Sequence, residues 1–266
     1  MSIPETLDFL DKTGYSIIRF GDGEFLYLCD KLNLPFQKYD PVLALKMKEI
    51  LKFEHPHILV GLPSGYHSLN ALSPKGKRFW RSQISWVYPR LRKYLSPAKT
   101  YANASITRIY VEYADKSHCK EWFERFMKLW WQQDIVLIEG EKSRVGVGND
   151  LFAGAKSVRR ILGPMHHAWS CYDDLLTEAR KMPKDTLLLL SMGPCAKVLG
   201  YTLALEGYRV LDIGNLDIEY EWYRRGVPDK VKIPGKYTSE AKGGRVVEDI
   251  EDPLYNSQII CHIPYS

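Results

Sequence analysis

Asp22 and Glu24 stand one residue apart between two glycines in "RFGDGE", at the end of the apolar run "YSIIRF". If that run is a buried strand, Gly21 begins the turn off its carboxyl end, and Gly21 and Gly23 allow backbone angles that other residues resist. The two carboxylates then project to one side as a pair of hard oxygen donors. Such a pair suits Mg²⁺ or Mn²⁺ held together with a diphosphate, because these ions leave coordination positions for substrate oxygens. The competing reading has Asp22 capping a helix that starts near Glu24, with Arg19 as a plain ion-pair partner.

Three more polar clusters follow expected strands, at the edge where open α/β sheets bind ligands. In "IEGEKSRVGVGNDLFAGAKSVRRILGP", Lys142, Arg144 and glycine-supplied amides precede a helix expected from about Asn149, a plausible phosphate cradle that lacks the Walker G-K-[ST]. Asn149 as a helix cap beside a solvated Lys142 and Arg144 is the alternative. The segment "LLLLSMGPCAKVLGYTLALEGYRVLDIG" reads as strand, turn at Gly193, apolar helix and strand ending in an acid. Asp212 falls 19 residues after Gly193, where a dinucleotide fold places its ribose-binding acid. G-x-G-x-x-G is absent, which leaves a nucleotide-capable sheet as the supported statement and a nicotinamide-dependent oxidoreductase as a rival. In "GNLDIEYEWYRRG", Asp217, Glu219 and Glu221 alternate with Ile218, Tyr220 and Trp222. Read as an extended stretch, the three acids share a face and need cations, a metal or a hydroxyl-bearing substrate opposite them. Arg224 and Arg225 could instead neutralise them as a surface network.

The elements that must position these clusters alternate along the chain. Strands are expected at "YSIIRF", "HILVGLP", "ITRIYVEY", "DIVLIEG", "TLLLLSMG" and "YRVLDIG", and helices near 41–52, 74–94, 117–132, 149–162, 170–181 and 195–206. Alternation of this kind implies an α/β fold, a Rossmann-like, mostly parallel sheet with helices on both faces. An N-terminal helix is expected between Ser2 and Gly14, and no signal peptide is visible. The apolar window 187–205 contains Gly193-Pro194 and Lys197, so it reads as strand, turn and buried helix rather than a membrane span. Trp122, Phe126 and Leu129 form the core stripe of the helix at 117–132. Residues 1–266 read as a single domain, with 45% hydrophobic residues ample for a core and a Gly-, Pro- and charge-rich C-terminal part wrapping over the sheet as loops and short helices. The five cysteines, scattered, odd in number and never spaced C-x-x-C, argue against a disulfide framework and a zinc site. A formal charge of +5 suits an anionic small molecule as well as nucleic acid, so a non-catalytic binding module stays a second rival.

The ordered segments "RFGDGE", "GEKSRVGVGNDLF", "MGPCAKVLGYTLALEGYRVLDIGNLDIEYEWY" and "GKYTSEA", spanning residues 19 to about 241, resemble the GT-D-type glycosyltransferases, domain of unknown function 1792. The resemblance implies one GT-D-type domain and a cytoplasmic, metal-dependent glycosyltransferase. It implies a UDP-sugar donor, with glucose the first choice, a glycan acceptor on a glycoprotein or polysaccharide, and Mn²⁺ or Mg²⁺. On that basis Asp22 and Glu24 become metal ligands. Arg19, Gly21, Lys142, Arg144, Asn149 and Gly193 become donor and phosphate contacts, and Asp217, then Glu219, the acids on the acceptor side. No nucleic-acid partner and no membrane span are expected; a homo-oligomer or association with other glycosyltransferases is left open.

Overall fold

A computed structural model describes residues 1–265 of the chain. Eight strands, β1 (Ser16–Arg19), β2 (Ile58–Leu62), β3 (Ala102–Asn103), β4 (Asp134–Gly140), β5 (Ser157–Gly163), β6 (Leu187–Ser191), β7 (Arg209–Asp212) and β8 (Ile259–His262), form one sheet in the order β3-β2-β1-β7-β6-β4-β5-β8. Every pairing is parallel. Ten helices accompany them: α1 (Ile3–Thr13), α2 (Asp22–Asp30), α3 (Pro41–Lys52), α4 (Pro74–Trp86), α5 (Tyr88–Leu91), α6 (Cys119–Lys128), α7 (Tyr172–Arg180), α8 (Gly193–Leu205), α9 (Leu216–Arg224) and α10 (Pro253–Gln258).

Consecutive strand residues face opposite ways, and here both ways lead to apolar cover. Ile18, Val136, Ile138, Leu188, Leu190 and Val210 join the core under α2, α3, α7 and α8. Ile17, Ile135, Leu137, Leu187, Leu189 and Leu211 join the core under α1, α6 and α9. This is why the strands are unbroken apolar runs rather than alternating ones. The N-terminal helix forms as expected. Ser2 accepts the Glu5 N–H while Glu5 accepts the Ser2 N–H, and Gly14 ends the helix at φ +68°.

Four local expectations are corrected. "ITRIYVEY" is not a strand: 104–107 is a 3₁₀ turn, and side chains take the donors a ladder would need. Asn103 accepts the Ser105 N–H at 2.9 Å, and Glu219 accepts those of Tyr110 and Val111, each at 3.1 Å. The helix expected over 149–162 is a set of turns followed by β5, because Ser157–Gly163 pairs residue for residue with β4 in the sheet interior. The edge strand β8 lies in the C-terminal part expected to hold only loops and helices. The stretch "LDIEYEWYR" is α9, not extended, so Asp217 and Glu221 share a helical face and Glu219 points away from it.

The sheet centre is locked by charge. Asp212, at the carboxyl end of β7 and 1% exposed, accepts from the Arg19 backbone N–H and Nη2 at 3.1 Å each and from Lys197 Nζ at 2.6 Å. Arg19 Nε also donates to the Asp212 carbonyl at 2.5 Å and Nη1 to the Ala104 carbonyl at 3.0 Å. Burial alone would raise the Asp212 carboxyl, but Lys197 and Arg19 outweigh it and hold it below the usual carboxylate range. Gly214, at φ +46°, leaves room for this clamp, since a Cβ there would sit 2.1 Å from Arg19 Nη2. We expect Asp212→Asn, which leaves two buried cations short of one negative charge, to lose about 3–5 kcal/mol in urea denaturation. A loss below about 1 kcal/mol would show that the clamp is not what holds β1 to β7.

Candidate functional site

A cavity of about 770 Å³ opens above the carboxyl ends of β1, β7 and β6. Strand order explains the position. The chain runs outward from β1 to β2 and β3 and then builds the other half of the sheet, so the connections after β1 and β7 diverge and leave a crevice. Its floor carries Arg19, Gly21, Asp22, Glu24, Ser191, Gly193, Lys197, Gly214 and Asn215, and its walls carry residues of α4, the 105–112 turns and the 229–240 segment.

Asp22 and Glu24 both line this cavity, in the first turn of α2, and their roles divide. Glu24 Oε2 accepts the Gly21 N–H at 2.8 Å and Oε1 lies 3.8 Å from Lys197 Nζ, so it is Glu24, not Asp22, that caps the helix. The Asp22 carboxylate has no hydrogen-bond partner among the described residues. Burial, only partly opposed by Arg108 and reinforced by Glu112, Glu24 and Glu240, pushes it up to about 6. A carboxylate hemmed in by other acids is stabilised in its charged form by a cation. No group of three metal-ligating side chains occurs among the described residues. The donor set therefore fits an ion that takes one or two protein carboxylates and completes its shell from a ligand and water.

Gly193 lies at the N-terminus of α8, which faces the cavity. It adopts φ +53°, and a Cβ there would meet the Phe36 ring at 2.6 Å. Arg19 lines the cavity with its guanidinium already committed to Asp212 and Ala104. Asp212, the residue in the ribose-acid position, is consumed by the same clamp and is removed as a ligand contact. Lys142 and Arg144 lie outside the cavity. Arg144 Nη1 donates to the Gly235 and Glu248 carbonyls at 2.8 Å each, and Lys142 pairs with Asp249 at 3.2 Å, so the expected cradle instead holds down the C-terminal segment. The loop glycines serve packing: a Cβ on Gly146 would strike the Phe152 ring at 2.3 Å. Asn149 caps no helix. Its Nδ2 donates to Asp217 and Glu221, at 2.7 Å each.

Asp217 borders the cavity but is fully engaged, with Lys236 Nζ at 2.9 and 2.6 Å from its two oxygens in addition to Asn149. Glu219 lies behind the wall. Its Oε1 has no partner, and burial, against the pull of Arg108 and the Val111 N–H, raises it to about 7.

The sequence reading missed Arg108, Glu112, Lys230, Lys236 and Glu240. Two of these, Lys236 and Glu240, sit in the segment "GKYTSEA", which was recognised as a motif but assigned no chemistry. Glu112 Oε2 accepts from Trp80 Nε1 at 3.1 Å. Glu240 accepts from Arg108 Nη1 at 2.6 Å, from Lys230 Nζ at 2.7 Å and from Asn215, tying the C-terminal segment across the cavity to α9 and the 105–112 turns. Burial would raise Glu240, but Arg108 and Lys230 overcome it and hold it at about 2. Its contribution is therefore complete above the ordinary glutamate range and disappears as pH falls toward 2. The stability gap between wild type and Glu240→Gln should narrow by about 2 kcal/mol between pH 6 and pH 3 in urea denaturation. A constant gap would mean that the Glu240 charge does not fasten this segment.

Comparison with known proteins agrees with this architecture. Residues 17–241 match the family model described as glycosyltransferase GT-D fold. The chain is 35% identical over 266 residues to "Probable glycosyl transferase Gly" of Streptococcus gordonii, covering 99% of this chain and 38% of that protein. It is 37% identical over 262 residues to "Glycosyltransferase GlyD" of Streptococcus pneumoniae serotype 4, covering 98% of this chain and 32% of that protein. The chain thus spans about a third of the length of these relatives. A solved structure described as a new glycosyltransferase (DUF1792) from Streptococcus sanguinis superposes with a TM-score of 0.93 at 35% identity, covering 99% of this chain and 98% of that one. A second, described as the highly conserved domain of unknown function 1792 with a distinct glycosyltransferase fold, gives 0.92 at 34% identity, covering 99% and 95%. With its parallel sheet, its cavity at the strand ends and these relatives, the chain belongs to the glycosyltransferase GT-D fold family.

Proposed function

We propose that this domain transfers a sugar from a UDP-sugar, with UDP-glucose the first candidate, to a glycan on a glycoprotein or polysaccharide, with Mn²⁺ or Mg²⁺ bound at Asp22. The observation that carries this reading is the charge of the cavity wall. Arg19, Lys75, Arg108, Lys197 and Lys230 face Asp22, Glu24, Glu112, Asp217, Asp229 and Glu240, which is five cations against six carboxylates. Four of the five cations, all but Lys75, already pair with buried or half-buried acids, namely Asp212 or Glu240. A diphosphate entering this space meets no spare positive side chain at the floor, and the bare Asp22 carboxylate repels it. A divalent ion held by Asp22, with Glu24 beside it, would offset both charges and stabilise the leaving diphosphate as the glycosidic bond breaks. The backbone amides at the α8 N-terminus behind Gly193 would orient the same phosphates.

On the acceptor side the geometry favours Glu112 over Asp217. Both Asp217 oxygens are held by Lys236, one of them also by Asn149, whereas Glu112 lines the cavity and spends only one oxygen, on Trp80. Glu112 would accept the acceptor hydroxyl proton if transfer inverts, and Asp217 would keep the 236–240 segment in place.

Two expectations follow, both measured as UDP release with and without acceptor. Asp22→Asn should keep its melting temperature and lose at least about 10²-fold in turnover, and chelator-treated wild type should fall as far, since both remove transition-state charge stabilisation. Full-rate transfer by chelated enzyme would end the metal reading. Glu112→Gln should slow transfer by roughly 10²- to 10⁴-fold without loss of fold, while Asp217→Asn, which strands the buried Lys236, should lower the melting temperature. A well-folded Asp217→Asn without transfer, beside an active Glu112→Gln, would return the acceptor role to Asp217.

A further inference from the structure

From His55 to Val111 the chain contains no Asp or Glu, although the whole carries 32 of them, and eight Lys or Arg fall between Pro74 and Lys99. The overall charge balance hides this block, which folds into α4, α5 and the 3₁₀ turn Arg92–Tyr94. Helix α4 is anchored by one stripe only, Gly76, Trp80 and Gln83, continued by Val87 beyond its end, and everything else on it looks outward or lies at the margin. On those outward flanks stand Trp86 at 72% exposure, Phe79 at 40% and Ile84 at 36%, and α5 adds Tyr88 at 38%. Among the cations, Lys75 pairs with Asp229 and Arg90 with Asp30. Lys77, Arg78, Arg81, Arg92 and Lys93 have no acidic partner among the described residues. Lys93 and Lys48 of α3 both lie over the Tyr94 ring, at 5.1 and 5.0 Å, so the basic surface continues onto α3.

We propose that this α4–α5 face is a peripheral docking surface for an anionic phospholipid bilayer. Large apolar side chains and cations interspersed on one exposed helix require a partner that is apolar and anionic in the same plane, and the headgroup–acyl boundary of an acidic membrane is both. Trp and Tyr are the residues that settle at that boundary, and arginine and lysine stems extend from it to the phosphates. The hydrogen-bonding complement separates lipid from other polyanions. No Asn, Gln, Asp or Glu is exposed on α4 or α5, so the face has none of the amide or carboxylate groups with which proteins read nucleobases and sugars. The same helix lends Lys75, Gly76, Phe79 and Trp80 to the cavity wall, so docking would bring the cavity mouth to the membrane surface. Acceptors carried at that surface would then be within reach. The docking itself does not depend on the transferase reading, because its test reads lipid binding and not sugar transfer.

The experiment is co-sedimentation of the full chain with vesicles of phosphatidylcholine alone and of phosphatidylcholine with 30% phosphatidylglycerol, at about 0.1 M salt. Wild type should pellet with the anionic vesicles and stay in the supernatant with the neutral ones. Arg78→Glu/Arg81→Glu should weaken binding by at least about thirtyfold, the loss expected for two surface charges. Trp86→Ser should weaken it at unchanged net charge, and Lys120→Glu/Lys181→Glu, an equal charge change on α6 and just past the end of α7, should leave it nearly intact. All five positions are exposed, and melting temperatures within a few degrees of wild type check the fold. The proposal is overturned if wild type ignores the anionic vesicles, or if the control double variant loses binding as fully as Arg78→Glu/Arg81→Glu. It is equally overturned if a short oligonucleotide or polyglutamate competes the vesicles off at equal charge concentration. A Trp86-dependent dimer seen by light scattering without vesicle binding would assign the face to a second copy of the chain instead.

Discussion

A buried carboxylate flanked by two buried cations organises the molecule. Asp212 terminates β7 where β1 and α8 converge, and Arg19 and Lys197 reach it from those two elements. Any one of the three charges alone in this interior would be prohibitive, and together they are tolerable only in this geometry. The clamp therefore fixes the register of β1 against β7, the seat of α8 against both, and the approach of Gly214 to Arg19. It also commits three charged groups to one another, including the acid that a dinucleotide fold would use for ribose.

Consequences spread from this centre into the cavity. Lys197 is shared between Asp212 and Glu24, which turns back to cap α2, and that leaves Asp22 as the carboxylate with nothing to pair with. A second layer of charge pairs closes the opposite wall. Lys236 with Asp217, and Arg108 and Lys230 with Glu240, fasten the 229–240 segment across the cavity. That segment has neither helix nor strand, so these pairs substitute for a backbone ladder. A lining rich in ions yet almost neutral is the result, and it is the feature on which the proposed metal-assisted reading rests.

The surface divides in a similar way. Acids are concentrated on the inner wall and on α1, α7 and α9, while the stretch from His55 to Val111 has none. Solubility requires only that charges face water, so such segregation is not a demand of the fold. It coincides with a helix that buries only Gly76, Trp80 and Gln83 and exposes Trp86.

Composition and periodicity alone determined the α/β class, the parallel sheet, five of the six expected strands and the N-terminal helix with its caps. Each of these follows from local chain physics: apolar runs buried on two faces, and side chains that satisfy nearby backbone groups. The cavity position was legible too, because glycines after strands mark the ligand edge, and Asp22 was legible within it. What local pattern could not decide was which charges are spent on one another. Asp212, Lys142, Arg144 and Asn149 have the residue types of ligand contacts, and their partners lie tens or hundreds of residues away. The alternation of acids in "LDIEYEWYR" imitates a strand, yet Ile218, Tyr220 and Trp222 are all buried as a helix because α9 is enclosed on most sides. Glu112 carried no signal beyond its type and Glu240 none beyond its place in "GKYTSEA", since a carboxylate's role is set by what surrounds it and only the closed tertiary structure brings Arg108, Lys230 and Trp80 to their sides.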